Sequence, residues 1–400
     1  MHRIRFFYLA GFSVSLLGNS ITAIALPLVV LLTTGSPLGA GIVAIAAAVP
    51  AAVAGLLMGA LVDRVNRRTA AVLSDVISAV ALLILPVVHL TVGLELGWFV
   101  AVAVLSSFGD VPGITAREAM LPAVADAAGL DPAKLIGIRE SLSGASFLLG
   151  PAAAGILVAT LEPVTVLWIT SGLAALAALL TLALPARATV LVGGGVPAPA
   201  QRSMFRGLVI IFRSPLLRGL VLLGLALAIV LAATQGMVIP VHFAFQGDPQ
   251  LVGFVLSALA AGLLVGRGGF AVLGHRVPHR VWLVVGLVLV AVGFSVIAVL
   301  GPAWSVLTGA AVVGLGAGCM NAVVGLALVD VVADSQRGTV LGAQNALLTL
   351  VPAVGIGAAA VLIEAGGLQL TTIALAALWV VSVVAALLTP PLRRLGSTAA

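Results

Sequence analysis

Residues 59–68 read Gly59-Ala60-Leu61-Val62-Asp63-Arg64-Val65-Asn66-Arg67-Arg68, with a long apolar run on either side. Only 8% of the chain is charged, so one carboxylate and three guanidinium groups packed this closely mark a place where water begins. The loop is too short to fold by itself. It joins two segments whose own solvent is not water. Hydrophobic residues make up 62% of the 400-residue chain, and the mean hydropathy is +1.29. No soluble core uses that much apolar surface, so the chain reads as an integral membrane protein.

Working outward from this loop, runs long enough to cross a bilayer recur throughout. They lie near 8–32, 38–61, 70–91, 97–116, 135–160, 165–186, 217–241, 250–273, 281–300, 304–328, 339–363 and 369–389, which is twelve spans. Each must be helical, because lipid offers no partner for backbone N–H and C=O groups. Charge placement tests the count. With a cytoplasmic start, Arg3, Arg5, Arg64, Arg67, Arg68, Arg117, Lys134, Arg187, Arg202, Arg206, Arg213, Arg218, Arg276, Arg280, Arg337, Arg393 and Arg394 fall on the cytoplasmic side. The two remaining basic residues, Arg139 and Arg267, lie just inside spans near that same side. The opposite loops hold no Lys or Arg but carry Glu95, Glu162, Asp248 and Glu364. This asymmetry places both termini in the cytoplasm and predicts a multi-pass protein of the cell membrane.

The longest loop, about 187–216, divides the chain into an N-terminal six-helix bundle (1–186) and a C-terminal six-helix bundle with a short cytoplasmic tail (217–400). It holds the flexible stretch Gly193-Gly-Gly-Val-Pro-Ala-Pro. Then comes Arg202-Ser-Met-Phe-Arg-Gly-Leu-Val-Ile-Ile-Phe-Arg213, which reads as an amphipathic helix on the membrane surface.

Several functions are excluded. Lys134 is the only lysine, and no Walker A loop surrounds it, so the chain carries no P-loop ATPase. The single cysteine, Cys319, rules out an internal disulfide and a cysteine-rich metal site. His275 and His279 sit beside Arg276 and Arg280 and read as a solvated loop; no metal and no cofactor is expected. The net charge of +6 is scattered over short loops without interleaved aromatics, so no nucleic acid is expected as partner. The basic start is followed by an apolar run too long for a signal peptide, which reads as a retained first span.

The spacing Gly59-x-Leu61-x-Asp63-Arg64-x-x-Arg67-Arg68 resembles the cytoplasmic loop signature between helices 2 and 3 of the major facilitator superfamily of secondary transporters. The likeness covers nearly the whole chain, since two six-helix halves joined by one long cytoplasmic loop resemble the facilitator fold. The second-half counterpart, Gly274-His-Arg-Val-Pro-His-Arg280, keeps the basic residues and loses the acid. The resemblance implies that Gly59, Asp63, Arg64, Arg67 and Arg68 form a gating loop that holds the cytoplasmic side shut. Asp63 would face the start of helix 11 near Arg337-Gly-Thr339, where the helix dipole favours a carboxylate. Arg67 would orient Asp63 or pair with Glu118 at the end of helix 4. The bland alternative for the arginines is plain positive-inside anchoring.

Gly150-Pro151-x-x-x-Gly155 in helix 5 resembles part of the antiporter signature of the drug-efflux branch, and implies a hinge at Gly150, Pro151 and Gly155. Ser146 departs from it where glycine is usual, and the helix 4 pattern Arg-x-x-Gln-Gly is absent. In its place stands Gly109-Asp-Val-Pro-Gly-Ile-Thr-Ala-Arg-Glu-Ala-Met-Leu-Pro122, similar to the macrolide-efflux-type branch. Helices 1, 4, 7 and 10 line the cavity in this fold, so the resemblance makes Asn19, Gln235 and Asn321, with Asp110, cavity-lining candidates. Gly55/Gly59, Gly262/Gly266 and Gly314/Gly318 are spaced for close helix packing.

Ionisable residues inside spans are costly and default to functional candidates. Asp110 lies roughly 9 Å inside the end of span 4 at 1.5 Å per residue. Arg139 and Glu140 lie at a similar depth in span 5. The expectation is that Arg139 pairs with Asp110, and that Asp110 or Glu140 gains and loses a proton; a static ion pair is the alternative. Asp75 is expected to bridge into the arginine cluster at 64–68, and Arg267 to snorkel to the surface. Together these features predict a proton-coupled exporter of small apolar or amphipathic molecules, acting as a monomer by alternating access. An importer or facilitator of a small metabolite is the alternative, and a scaffold or sensor the third. No catalytic arrangement appears, so no enzyme is expected.

Overall fold

The computed structural model describes residues 2–62, 66–185, 200–274, 276–332 and 334–388, which form helices and no strand. Asp63 and Arg64 of the gating loop lie outside the described residues, as does the side-chain setting of Gly59. By internal contacts the chain divides into two compact units, Met1–Ala200 and Gln201–Ala400.

The first unit contains α1 (His2–Thr34), α2 (Pro37–Val62), α3 (Arg67–Thr91), α4 (Leu96–Ala128), α5 (Pro132–Thr160) and α6 (Pro163–Leu182). Local chemistry sets the ends. Asn66 caps α3 by accepting from the Arg68 N–H. Asp131 caps α5 by accepting from Ala133 N–H, with Pro132 following at the position where a missing N–H costs nothing. Gly129 closes α4 in the left-handed conformation, φ 64°, which glycine adopts freely.

The second unit opens with α7 (Ala200–Arg213), followed by α8 (Pro215–Ala233), which Ser214 caps. A π turn at Thr234–Val238 leads into α9 (Ile239–Gln246), so that 215–246 make one crossing. Pro240 has no N–H to offer the preceding turn, which accounts for the shifted register just before it. Then come α10 (Gln250–Leu273), α11 (His279–Ala298), α12 (Ala303–Val331) and α13 (Asp334–Leu388).

Ten helices among the described residues are long and apolar enough to cross a membrane. One of them, Ala343–Leu388, runs 46 residues. At 1.5 Å per residue it would be about 69 Å long, against a hydrocarbon core about 30 Å thick. It breaks at Gly367, φ 80° and ψ 170°, and so makes two passes. With that division and with α2, which is 26 residues long, the crossings number twelve.

The packing pattern of the first unit recurs in the second. In the first, α3 packs on α4 and α6, α2 on α4, and α1 on α5 and α6. In the second, α11 packs on α12 and α13, α10 on α12, and α8 on α13. The seam between α10 and α12 joins the glycine pairs expected to pack closely. A Cβ on Gly314 would stand 2.0 Å from the Leu259 carbonyl oxygen, and one on Gly262 2.1 Å from that of Ala311. Backbone meets backbone there, which is how helices associate where lipid removes the hydrophobic drive.

The element that departs most from expectation is α4. It continues twelve residues beyond the expected end of span 4 at 116, to Ala128. Its last three turns pack in a cluster of Tyr8, Ala71, Met120, Leu121, Val124, Leu135 and Leu184, contributed by four helices and the turn after α6. That burial extends the helix past the bilayer-sized apolar run.

Candidate functional site

The polar centre of the first unit is built on α3 and α4. Ser74, Asp75 and Ser78 stand on one side of α3, and Gly109, Asp110, Gly113 and Arg117 face them from α4. The approach is possible because two positions lack a side chain. A Cβ on Gly109 would lie 2.8 Å from the Ser74 carbonyl oxygen, and one on Gly113 2.3 Å from Ser74 Oγ. Ser74 Oγ donates to the Gly109 carbonyl.

Two carboxylates meet different partners across this seam. Asp75 forms an ion pair with Arg117, and both side chains are almost fully buried, at 5% and 4% exposure. Ser15 Oγ on α1 donates to Asp75 Oδ1 at 3.0 Å, and Arg117 Nη1 donates to Ser15 Oγ at 3.1 Å. Arg117 Nη2 also donates to Thr181 Oγ1 on α6 at 3.3 Å. The Tyr8 hydroxyl donates to the Arg117 carbonyl at 2.9 Å. One guanidinium thus ties α1, α3, α4 and α6 together. Asp110 is held differently: Ser78 Oγ donates to its Oδ1 at 2.8 Å, and it forms no ion pair among the described residues.

Arg139 therefore does not pair with Asp110. Its Nη2 lies 3.5 Å from Glu118 Oε1 and 2.9 Å from Glu140 Oε1, and its guanidinium sits 5.7 Å from the Phe12 ring centroid. The cause is the length of α4. With the helix ending at Ala128, Asp110 lies about 27 Å from that end and Glu118 about 15 Å, whereas Arg139 lies about 10 Å from the start of α5. Antiparallel neighbours match depths, so Glu118 meets Arg139. Asp75 likewise pairs with Arg117, and among the described residues not with Arg67 or Arg68. Arg68 donates to the Thr181 and Leu182 carbonyls at the end of α6, where the last turn leaves acceptors free. Arg67 Nη1 donates to the Ala119 carbonyl at 2.9 Å, next to Glu118 but not to its carboxylate.

The remaining candidates are dispersed. Gly150, Pro151 and Gly155 are buried in an unbroken α5, and a Cβ on Gly150 would stand 2.4 Å from Ser20 Cβ on α1. Asn19 is half-buried on α1. Gln235 lies in the π turn, and Asn321 is exposed on α12. Arg267 is exposed on α10. A cavity of about 450 Å³ opens beside the start of α1, lined by His2, Arg5, Phe6, Leu9, Ala10, Ser13 and Leu142. Its lining is mostly apolar, with His2 and Arg5 among the residues, and its volume is within the size range of small-molecule sites. No cluster of metal-ligating side chains occurs among the described residues.

Sequence reasoning missed the Asp75–Arg117 pair, the serines that accompany it and the cavity. A signal was present: Ser74, Asp75 and Ser78 share one helical face, and Gly109/Gly113 are spaced to receive it.

Residues 8–242 and 221–399 match the Major Facilitator Superfamily. The chain belongs to that family. It is 31% identical over 387 residues to the multidrug efflux pump Tap of Mycolicibacterium fortuitum, covering 94% of this chain and 93% of the relative. The identity to Tap of Mycobacterium tuberculosis is also 31%, over 388 residues, covering 94% and 91%. Among solved structures, the nucleoside transporter NupG superposes with a TM-score of 0.76 at 15% identity, covering 96% of this chain and 98% of that one. The facilitator fold of twelve membrane helices is thus shared, and the protein is a transporter rather than an enzyme.

Proposed function

We infer that this facilitator-family transporter exports small apolar or amphipathic compounds across the cell membrane, driven by protons entering in exchange. The observation that carries the reading is the full-length likeness to the multidrug efflux pump Tap. The mostly apolar cavity, with His2 and Arg5 in its lining, supports the substrate class, since ligands of varied shape are held by apolar contact and few polar groups. Both termini are cytoplasmic in this reading, and one chain suffices for transport.

Asp110 is the proton carrier in this proposal. Among the described residues its carboxylate holds one serine hydroxyl and no guanidinium, so protonation breaks no ion pair seen there. Asp75, by contrast, is committed to Arg117 and serves to hold the helices. Glu140 remains a second candidate, bonded to Arg139 at the exposed end of α5. Protonation and release at Asp110 bias the inward-open and outward-open forms differently, as alternating access requires. Asn19, Gln235 and Asn321 are proposed to line the path. The loop from Gly59 to Arg68, with Asp63 at its centre, is proposed as the cytoplasmic gate, and Gly150, Pro151 and Gly155 as the bending point of α5.

Uptake of a fluorescent amphipathic dye into inverted membrane vesicles tests the reading. Imposing a pH gradient should drive dye accumulation, and collapsing it should abolish accumulation. Asp110→Asn should leave folded protein in the membrane while removing at least about 90% of gradient-driven uptake, as loss of an essential proton-transfer group does. Dye that only equilibrates, whatever the gradient, would overturn coupled export in favour of facilitation.

A further inference from the structure

The segment that joins the two units has chemistry that transport of a drug does not use. Between Glu162 and Asp248 the sequence contains no acidic residue but carries Arg187, Arg202, Arg206, Arg213 and Arg218. Helix α7 occupies the middle of this stretch and ends at Arg213, one residue before the cap of α8. Because α8 enters the bilayer, the end of α7 lies at the level where headgroups meet acyl chains.

At about 100° per residue, α7 presents three arcs. Gly207 and Ile211 point inward and are buried. A Cβ on Gly207 would stand 2.3 Å from the Thr339 carbonyl oxygen and 2.7 Å from Ala343 Cβ, so this arc is docked on the start of α13. The second arc carries Val209 and Phe212, 48% and 49% exposed. The third carries Arg206 and Arg213, both exposed, and Arg218 is exposed in the first turn of α8. None of these three arginines forms an ion pair among the described residues.

We propose that Arg206, Arg213 and Arg218 form a binding site for anionic phospholipid headgroups, with Val209 and Phe212 set among the acyl chains beside them. An interfacial helix with basic and apolar arcs binds by exactly such a division of labour in physical terms: apolar area sets its depth, and charge selects the lipid. Docking through Gly207 joins the occupied site to the first turns of α13. The site stands independently of what the transporter carries.

The test uses the full-length chain with Cys319→Ala and Phe212→Cys, the new thiol carrying a bimane label, in phosphatidylcholine nanodiscs. Brominated phosphatidylglycerol and brominated phosphatidylcholine are compared as quenchers at equal mole fraction. Phosphatidylglycerol should quench at a lower mole fraction, by about five-fold for each guanidinium engaged and so roughly a hundred-fold when all three engage. The triple change Arg206→Gln, Arg213→Gln and Arg218→Gln should remove the preference and leave quenching by phosphatidylcholine intact, and lysines at the same positions should preserve it. If the glutamine variant fails to fold, molar salt serves instead, because a Debye length of about 3 Å screens the headgroups from the arginines. Equal quenching by both lipids, or a preference that survives charge removal, would overturn the site. A preference abolished by millimolar inorganic phosphate at constant ionic strength would assign it to a soluble phosphate compound and also overturn the lipid reading.

Discussion

At the scale of single residues, the buried pair Asp75–Arg117 sets what each charge can do. A guanidinium with three side-chain partners on three helices is expensive to strip of its counter-ion. Asp75→Leu alone should destabilise the first unit by about 3–5 kcal/mol, because it leaves a buried cation unpaired. The double change Asp75→Leu, Arg117→Met should recover much of that loss, since an apolar pair of similar volume removes the uncompensated charge. Thermal stability of the purified variants, followed by fluorescence-detected gel filtration, checks the order: the double variant should survive heating better than the single. The sequence was sufficient to identify Asp75, Asp110, Arg139 and Glu140 as costly intramembrane groups. Their partners were not legible. A residue's depth depends on where its helix ends, and α4 ends only at Ala128, so Arg139 fell opposite Glu118 instead of Asp110.

At the scale of helices, small residues decide how closely elements approach. On the α10–α12 seam, Gly314 leaves no room for a methyl group, with the Leu259 carbonyl oxygen 2.0 Å from an added Cβ. Gly314→Val must push the helices apart and should cut folded yield in the membrane severely. Gly224→Val, at a position with open space around it, should be tolerated. Comparing membrane-inserted yields of the two variants is the check. The spacing of Gly262/Gly266 and Gly314/Gly318 was readable in the chain as a packing signal, but which helix each pair would meet was not. The break at Gly367, by contrast, was legible in the chain, because a short segment holding Glu364 separates the apolar runs 339–363 and 369–389.

At the scale of the whole molecule, twelve crossings return the chain to the side from which it started. Reporter fusions should place the N- and C-termini on one side, and positive-inside bias makes that side cytoplasmic. Alkaline phosphatase active at either terminus would contradict this. The proposed gate gives a second test at this scale: Asp63→Asn should lower transport several-fold more than it lowers folded protein, in line with loss of a charge-assisted bond to a helix end. Rates normalised to membrane-inserted protein measure it. By itself, the sequence determined that lipid is the solvent, that the chain crosses as helices, and to which family its loop belongs. These follow from composition and spacing, which act locally and add along the chain. Tertiary structure alone decided which buried charges meet, where glycine admits a neighbouring backbone, and which arc of α7 stays uncovered. Such pairings depend on helix length and rotation together, and each added residue turns a side chain by about 100°.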